Sequence, residues 1–238
     1  MFRLATSIAL LAATTTFVSA QTTTECDPTK KTCPQDPALG TTFSTQFNDS
    51  MAEFDPNLFN VTAGADLIDF SDEGAQLTIS SEGESITVET AFYIFWGSVE
   101  LIFKAASGQG IISTLVLMSD DLDEIDWEIK GGNTSSVTCN YFGWGNTSQF
   151  NSEFIPTMGA GWGSEGAMGD FHNYTVVWNQ DQLEWILDGQ SVRTAPYQDA
   201  GLWPQTPSYL KFGVWSAGDS SEKGTVEWAG GKTNWDDG

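Results

Sequence analysis

The chain has 238 residues, of which 40% are hydrophobic and 13% aromatic, which is enough apolar material for one domain with a large core. Its 32 acidic and 9 basic side chains give a net charge of −23, which disfavours binding to nucleic acid and to anionic membranes. One histidine, three cysteines and no glycine-rich phosphate loop exclude the usual metal and nucleotide motifs, so we expect no metal and no cofactor.

The first 20 residues have the three parts of a secretory signal peptide. Arg3 supplies the positive start, residues 8–13 the apolar stretch and residues 18–20 the small-residue cleavage site. A membrane anchor is the alternative interpretation, but the apolar stretch is too short to span a bilayer. We therefore expect a secreted protein in which disulfide bonds can persist.

The rest of the chain predicts an all-β domain over residues 41–238. Short apolar or alternating runs are separated by Gly, Asn, Asp and Ser, whereas residues 43–59 form an irregular lead-in with scattered aromatics. Asp188-Gly189 between two apolar runs indicates a tight hairpin. Many short strands at an even spacing favour a sandwich. The predicted strands are 77–80, 86–89, 97–104, 137–142, 174–178, 183–187, 210–215 and 225–228.

The most distinctive stretch follows a nearly continuous apolar run, residues 110–118, and a turn at residues 119–122. Glu124, Asp126 and Glu128 alternate there with three apolar residues. Successive side chains of a strand point to opposite faces, so the three carboxyl groups share one face while the apolar residues, Trp127 among them, enter the core. No lysine or arginine between the carboxyl groups neutralises them. Like charges on one face of a strand are unfavourable for folding, and such local costs are typical of functional sites.

Three carboxyl groups on one face suit glycoside hydrolysis with retention of configuration. One carboxylate attacks the sugar, a second carboxylic acid protonates the leaving oxygen, and a charged neighbour raises the pKa of that acid. Residues four apart on a flat strand have α-carbons about 13 Å apart, whereas a retaining pair needs its carboxyl groups about 5–5.5 Å apart. The motif therefore predicts a bent strand in a curved sheet with a cleft. The alternative is a solvated strand in a very acidic protein.

The segment 119–128, followed by Asn140 to Gly143, resembles glycoside hydrolase family sixteen. Within that family the chain is similar to the fungal Crh-type cell-wall transglycosylases, and segments 171–178, 185–189, 192–194, 204–207 and 227–231 extend the resemblance. The resemblance implies a β-jelly-roll sandwich of two curved antiparallel sheets with a concave cleft. It also implies that Glu124 is the nucleophile, Asp126 the auxiliary carboxylate and Glu128 the acid/base.

The resemblance further implies cleavage of β-1,4-linked chitin and transfer of the fragment to a β-glucan or chitin acceptor through a covalent glycosyl-enzyme intermediate. A β-glucan hydrolase and a non-catalytic, lectin-like wall-binding protein are the alternatives, and the intact carboxylate set favours an enzyme. We expect a secreted monomer of the cell wall that binds polysaccharide, with no nucleic acid and no protein partner. Relatives often carry a lipid anchor.

The segment 211–215 alternates, so Lys211, Gly213 and Trp215 share one face while Phe212 and Val214 share the other, which suits the core. Lys211 and Trp215 are then candidates for the cleft, with Gly213 leaving room for a sugar. By position in the family pattern, Lys211, Trp215 and Thr225 match sugar-contacting positions, with Thr225 beginning the next strand. The segment 142–162, rich in Gly, Asn and aromatics, is a candidate for the acceptor side.

The remaining cysteines and the glycosylation sequons suit secretion. Relatives close a small N-terminal loop with a disulfide, which implies that Cys26 and Cys33 pair within a segment covering residues 21–40. Cys139 is expected to be a buried free thiol on the strand after the acidic one. The sequons begin at Asn48, Asn60, Asn133, Asn146 and Asn173; we expect Asn173 to be the least used, if its strand lies in the cleft.

Three positions depart from the family pattern. Ser98 stands where relatives usually carry a basic residue, and Cys139 where a hydroxyl residue is usual. Relatives also continue beyond Gly238 into at least one more strand. We therefore expect that a C-terminal strand or tail is missing, and either a trimmed chain or a short secreted form explains that ending.

Overall fold

The computed structural model of the protein describes residues 24–148, 150–157, 162–199 and 201–237. The predicted signal peptide, residues 1–20, lies outside these residues. No helix in the described ranges is long and apolar enough to cross a membrane. The strands are β1 (Phe59–Ala63), β2 (Ile68–Ser71), β3 (Gly74–Leu77), β4 (Ser85–Ile94), β5 (Gly97–Phe103), β6 (Ile111–Ser119), β7 (Glu124–Lys130), β8 (Ser136–Phe142), β9 (Glu153–Pro156), β10 (His172–Trp178), β11 (Gln182–Leu187), β12 (Gln190–Pro196) and β13 (Ser208–Ser216), and the α-helix is α1 (Lys223–Trp228).

Two antiparallel sheets form the sandwich. The front sheet has seven strands in the order β1-β4-β13-β6-β7-β8-β9, and the back sheet has four in the order β12-β11-β10-β5. The strands β2 and β3 pair separately. The acidic strand β7 pairs with β6 on one side and β8 on the other, so the apolar run that precedes it is its hairpin partner and β7 is not an edge strand.

The core between the sheets is built from the residues that alternate with the polar ones. Trp127 on β7 and Trp185 on β11 are both fully buried. Their indole N–H groups cross between the sheets: Trp127 Nε1 donates to the carbonyl of Thr175 at 3.2 Å, and Trp185 Nε1 donates to the carbonyl of Asp126 at 3.0 Å. Removing a core side chain of this size costs about 3–5 kcal/mol of stability.

The lead-in over residues 43–59 contains no strand before Phe59, as its polar, irregular sequence predicts. Its aromatic residues instead pack against one part of the front sheet. Phe47 contacts Phe54 and Phe59 with ring centroids 5.0 Å and 5.5 Å apart, and all three pack against Phe212. Phe212 is thus a core residue, as the alternation on β13 predicts.

Two predicted strands were wrong. Residues 77–80 lie mostly after β3, which ends at Leu77. Residues 225–228 belong to α1 and not to a strand, so Thr225 does not begin one. The helix is stabilised by the Lys223–Glu227 ion pair at 3.2 Å, and short apolar runs do not distinguish helix from strand by periodicity.

Two further expectations need correction. The segment 142–162, for which the sequence predicted no strand beyond residue 142, contains the edge strand β9, which pairs with β8. Asn173 lies on β10 in the back sheet and not in the cleft, so the reason for ranking its sequon last does not hold. Its amide donates to Glu100 at 2.9 Å. Occupancy of the five sequons stays a prediction.

The cysteines and the Asp-Gly turn agree with expectation. Cys26 and Cys33 form a disulfide, and Cys139 is free and buried on β8. Burial raises the pKa of the Cys139 thiol to about 12, so it is an unreactive thiol at neutral pH. Asp188 and Gly189 connect β11 to β12 with φ angles of 50° and 77°, which is the positive-φ backbone of a tight hairpin.

Candidate active site

A cleft of about 610 Å³ lies on the face of the front sheet that points away from the core. The residues predicted as catalytic or sugar-contacting all line it: Glu124, Asp126, Glu128, Lys211, Trp215 and Thr225. The first three come from β7, the next two from β13 and the last from α1. The structure therefore brings together residues that are up to about a hundred positions apart in the chain.

The carboxyl groups of β7 have no charged neighbour directly across the sheet. Glu124 stands between Met118 and Phe142, Asp126 between Val116 and Asn140, and Glu128 between Thr114 and Thr138. Opposite charges on neighbouring strands would have stabilised them, whereas these partners are neutral. Proton uptake by the acids, or a bound substrate, would therefore relieve the repulsion among them.

Burial and mutual repulsion shift the proton affinities of two of the acids. Burial, and then the charge of Glu124, raise the pKa of Glu128 to about 8, against a smaller opposing effect of Lys130. Burial, and then the charges of Glu128 and Glu124, hold the pKa of Asp126 well above its ordinary value, while Arg193 acts in the other direction. Near neutral pH Glu128 therefore holds a proton, as the acid of such a site requires.

Asp126 links the two glutamates. It shares a hydrogen bond with Glu124, and its Oδ1 atom is buried with no hydrogen-bond partner among the described residues. Its backbone carbonyl accepts from Trp185 of the back sheet. A buried acceptor without a partner is costly, so an oxygen aimed into a cleft indicates a role with substrate.

Asp123, which immediately precedes the three acids of β7, has a different role that the sequence did not reveal. It is fully buried. One oxygen accepts from the backbone N–H of Trp144 at 2.8 Å, and the other accepts from Gln205 N–H at 2.7 Å and from Thr206 Oγ1 at 2.6 Å. Asp123 thereby fastens two loops to the start of β7. No local pattern distinguished it from the other acids of the turn.

The side of the cleft formed by β13 is attached to the neighbouring strand β4 by an ion pair and by a close approach of the two backbones. Lys211 Nζ lies 3.3 Å from Glu89 Oε1 on β4. A Cβ atom at Gly213 would lie 2.0 Å from the carbonyl oxygen of Ile86, so the glycine is required by the approach of β4 rather than by room for a sugar. Trp215 is partly buried and packs against Ile112 and its neighbours.

Lys130 contacts elements on two sides of the cleft, α1 and β9, and the sequence analysis did not identify it. Its Nζ lies 4.6 Å from the ring centroid of Trp228 on α1 and 5.4 Å from that of Phe154 on β9. Both rings line the cleft. Lys130 continues the alternation of Glu124, Asp126 and Glu128, so its parity was the available signal.

Arg193 supports the acidic strand from the back sheet. Its guanidinium lies over the ring of Trp185 at 4.6 Å, donates to the carbonyl of Cys139 at 2.9 Å and pairs with Glu153 at 3.1 Å. It thereby ties β8 and β9 together behind the cleft. In the described part of the chain, no group of three or more His, Cys, Asp or Glu side chains could hold a metal ion.

Comparison with known proteins agrees with this arrangement. Residues 55–230 match glycosyl hydrolases family 16. Crh-like protein 2 of Botryotinia fuckeliana is 46% identical in an alignment of 237 positions that covers 96% of this chain and 50% of that protein. Crh-like protein 3 of Aspergillus fumigatus is 45% identical over 232 residues, covering 94% of this chain and 60% of that protein. The chain thus spans about half to three fifths of the length of these relatives.

Solved structures agree as well. The apo Crh5 transglycosylase has a TM-score of 0.80 and 40% identity, covering 90% of this chain and 85% of that chain. A Bacillus licheniformis β-glucanase has a TM-score of 0.63 at 22% identity, covering 80% and 92%, which supports the fold alone. The predicted β-jelly-roll sandwich is confirmed, and the chain belongs to glycosyl hydrolases family 16, on the branch of the Crh-like proteins.

Proposed function

We propose that the protein is a secreted cell-wall transglycosylase that retains configuration at the sugar it transfers. The observation that carries the proposal is the set of three carboxyl groups on one face of β7, with raised pKa values at Asp126 and Glu128. Glu124 attacks the anomeric carbon, and Glu128 donates its proton to the leaving oxygen and later takes one from the acceptor hydroxyl. Asp126 keeps Glu124 oriented through their hydrogen bond.

The donor that we propose is β-1,4-linked chitin, and the acceptor is a β-glucan or chitin chain. Two observations support this choice. A Crh5 transglycosylase that is 39% identical over 90% of this chain has been solved in complex with NAG. The cleft is lined by aromatic residues beside its polar ones, among them Phe150, Phe154, Trp215 and Trp228, and such rings suit the flat apolar faces of sugars.

The domain assignment is part of the proposal. Residues 41–238 form the catalytic domain, residues 21–40 its disulfide-closed N-terminal segment, and residues 1–20 a signal peptide. A β-glucan hydrolase would use the same acids, with water in place of the acceptor hydroxyl. A lectin-like protein would have no use for a proton held near neutral pH on Glu128, so its raised pKa favours an enzyme.

The test uses Glu124→Gln and Glu128→Gln with the purified protein, chitin oligomers and a labelled glucan acceptor. We expect both variants to lose activity while keeping the native circular dichroism spectrum, because amides keep the shape but remove the nucleophile and the proton donor. Glu82→Gln, an exposed carboxyl in the turn before β4, is the matched control and should keep full activity.

Products followed by mass separate transfer from hydrolysis, and the anomer formed first, observed by NMR, reports the stereochemistry. Retention is expected; inversion would require a different arrangement, with carboxyl groups about 6.5–9.5 Å apart. Near-normal turnover in either glutamine variant would contradict the assignment of that residue.

A further inference from the structure

A second pocket, of about 370 Å³, shares no lining residue with the cleft. We call it the end pocket. It lies where the β4–β5, β10–β11 and β12–β13 connections meet at one end of the sandwich. Its aromatic residues are Phe95, Trp96, Tyr197 and the buried Trp203, and its polar residues are Gln180, Asp181 and Gln205.

Three aromatic residues of the end pocket are exposed to solvent although their side chains are large. Phe95 is 48% exposed, Trp96 38% and Tyr197 49%. Phe95 and Trp96 stack with ring centroids 4.4 Å apart and an angle of 25° between their planes, so each ring covers one face of the other and the two are held together as a pair at the pocket. Tyr197 packs edge-on against the buried Trp203, at 5.7 Å, which fixes it at another side of the same pocket. Exposed apolar surface in a defined pocket indicates binding.

The backbone that carries the stacked pair, Phe95 and Trp96, is strained. β4 ends at Ile94 in the front sheet and β5 begins at Gly97 in the back sheet, so Phe95 and Trp96 are the whole connection between them. Trp96 has φ 64°, a left-handed conformation in which glycine or asparagine is the low-strain residue. Folding alone would favour a small polar residue here. An indole held exposed on such a backbone therefore points to a ligand.

The polar residues define the chemistry of that ligand. Two side-chain amides and one carboxylate can exchange hydrogen bonds with hydroxyl groups, and none of the described residues that line the end pocket is a lysine or arginine. An anionic ligand would find no counter-charge there. A second copy of the chain would bring two highly acidic proteins together, since each has a net charge of −23. A neutral β-linked pyranose fits, because its ring C–H groups form flat faces while its hydroxyl groups point outward.

The end pocket is also tied to the acidic strand. The backbone N–H of Gln205 donates to Asp123, and Asp123 immediately precedes Glu124. We propose that the end pocket is a second carbohydrate site, which holds a segment of a neutral β-linked polysaccharide outside the cleft. It keeps the polymer at the protein surface while the cleft acts on another stretch. The identity of the polymer, as a cell-wall polysaccharide, rests on the proposed function; the site itself does not.

The experiment measures retention of the protein on insoluble chitin and β-glucan particles. All variants carry Glu128→Gln so that the polymer is not consumed. Trp96→Gly is the main variant, because glycine accepts the positive φ and relieves strain instead of adding it. Tyr197→Ala tests the other side of the pocket. Phe171→Ala is the matched control, since Phe171 is as exposed, at 48%, and does not line the end pocket.

We expect Trp96→Gly and Tyr197→Ala each to weaken retention about tenfold, the loss of one aromatic contact, while Phe171→Ala leaves it unchanged. In the active protein the same two changes should leave turnover of short soluble oligosaccharides unaffected. Unchanged retention, an equal loss with Phe171→Ala, or a parallel loss of oligosaccharide turnover would overturn the proposal. So would a dimer that depends on Trp96 in sedimentation. Absence of any oligosaccharide turnover in the unmodified protein would instead contradict the proposed function, because retention is measured without catalysis.

Discussion

Replacement of Glu128 by glutamine should stabilise the folded protein relative to the unmodified protein, and this difference should grow as the pH rises. The reason is that the surroundings of the native carboxyl oppose its ionisation. Its pKa is 4.5 in an unperturbed chain and about 8 in the folded protein. Between these values the folded state binds more protons than the unfolded chain does. Stability from this group is therefore complete below pH 4.5 and is lost as the pH rises towards 8.

The size of the effect follows from the same two values. At pH 7 the folded group is mostly protonated whereas the unfolded group is ionised, and each pH unit above 4.5 costs about 1.4 kcal/mol, so the loss by pH 7 is about 3 kcal/mol. In a domain of this size that corresponds to about 6–12 °C in melting temperature. Glutamine does not titrate, so the Glu128→Gln variant should be spared this loss.

The assay compares melting curves of the unmodified protein and Glu128→Gln from pH 4 to pH 8 at constant ionic strength. Any fixed difference in packing between the carboxyl and the amide shifts the two curves by the same amount at every pH. The widening gap between them therefore reports the ionisation of Glu128 together with its effect on the neighbouring Asp126. Glu82→Gln, in an exposed turn, should run parallel to the unmodified protein. Parallel curves for Glu128→Gln would refute the reasoning that burial and the charge of Glu124 hold a proton on this side chain.

Three further outcomes are expected. Activity should decline above about pH 8, as Glu128 loses the proton that it must donate; a profile flat to pH 10 would exclude it as the acid. Trp215→Ala should weaken oligosaccharide binding with only a small drop in melting temperature, whereas Trp127→Ala should cost about 3–5 kcal/mol; a large drop for Trp215→Ala with unchanged affinity would assign Trp215 to the core. Asp123→Ala removes the acceptor of three partly buried donors, so urea unfolding should show a loss of about 3 kcal/mol, and an unchanged midpoint would contradict that role.

The sandwich and the acidic face of β7 were predictable because both depend on an alternation of period two, which is visible in sequence. The same rule correctly assigned Phe212 to the core and Lys211 and Trp215 to the cleft side of β13. It failed at Thr225, where a six-residue helix is too short for its periodicity to differ from that of a strand.

Other features depended on contacts between distant segments. Asp123 is recognisable only once Trp144 and Thr206 are seen to donate to it. Arg193 lies 54 positions from Cys139, whose carbonyl it holds. The requirement for Gly213 arises from the backbone of β4 and not from any turn. Such three-dimensional neighbours leave no periodic signal in one sequence.

The two indole hydrogen bonds that cross the sandwich link disruption of the active site to unfolding of the whole domain. Trp185 holds the carbonyl of Asp126, and Trp127 holds that of Thr175, so β7 cannot detach without breaking contacts on both sheets. Segments of this kind open only with the whole domain, and their amide hydrogens exchange last. We therefore expect the acids to stay in place until the domain unfolds, so that heat inactivation follows global unfolding rather than local melting at the cleft.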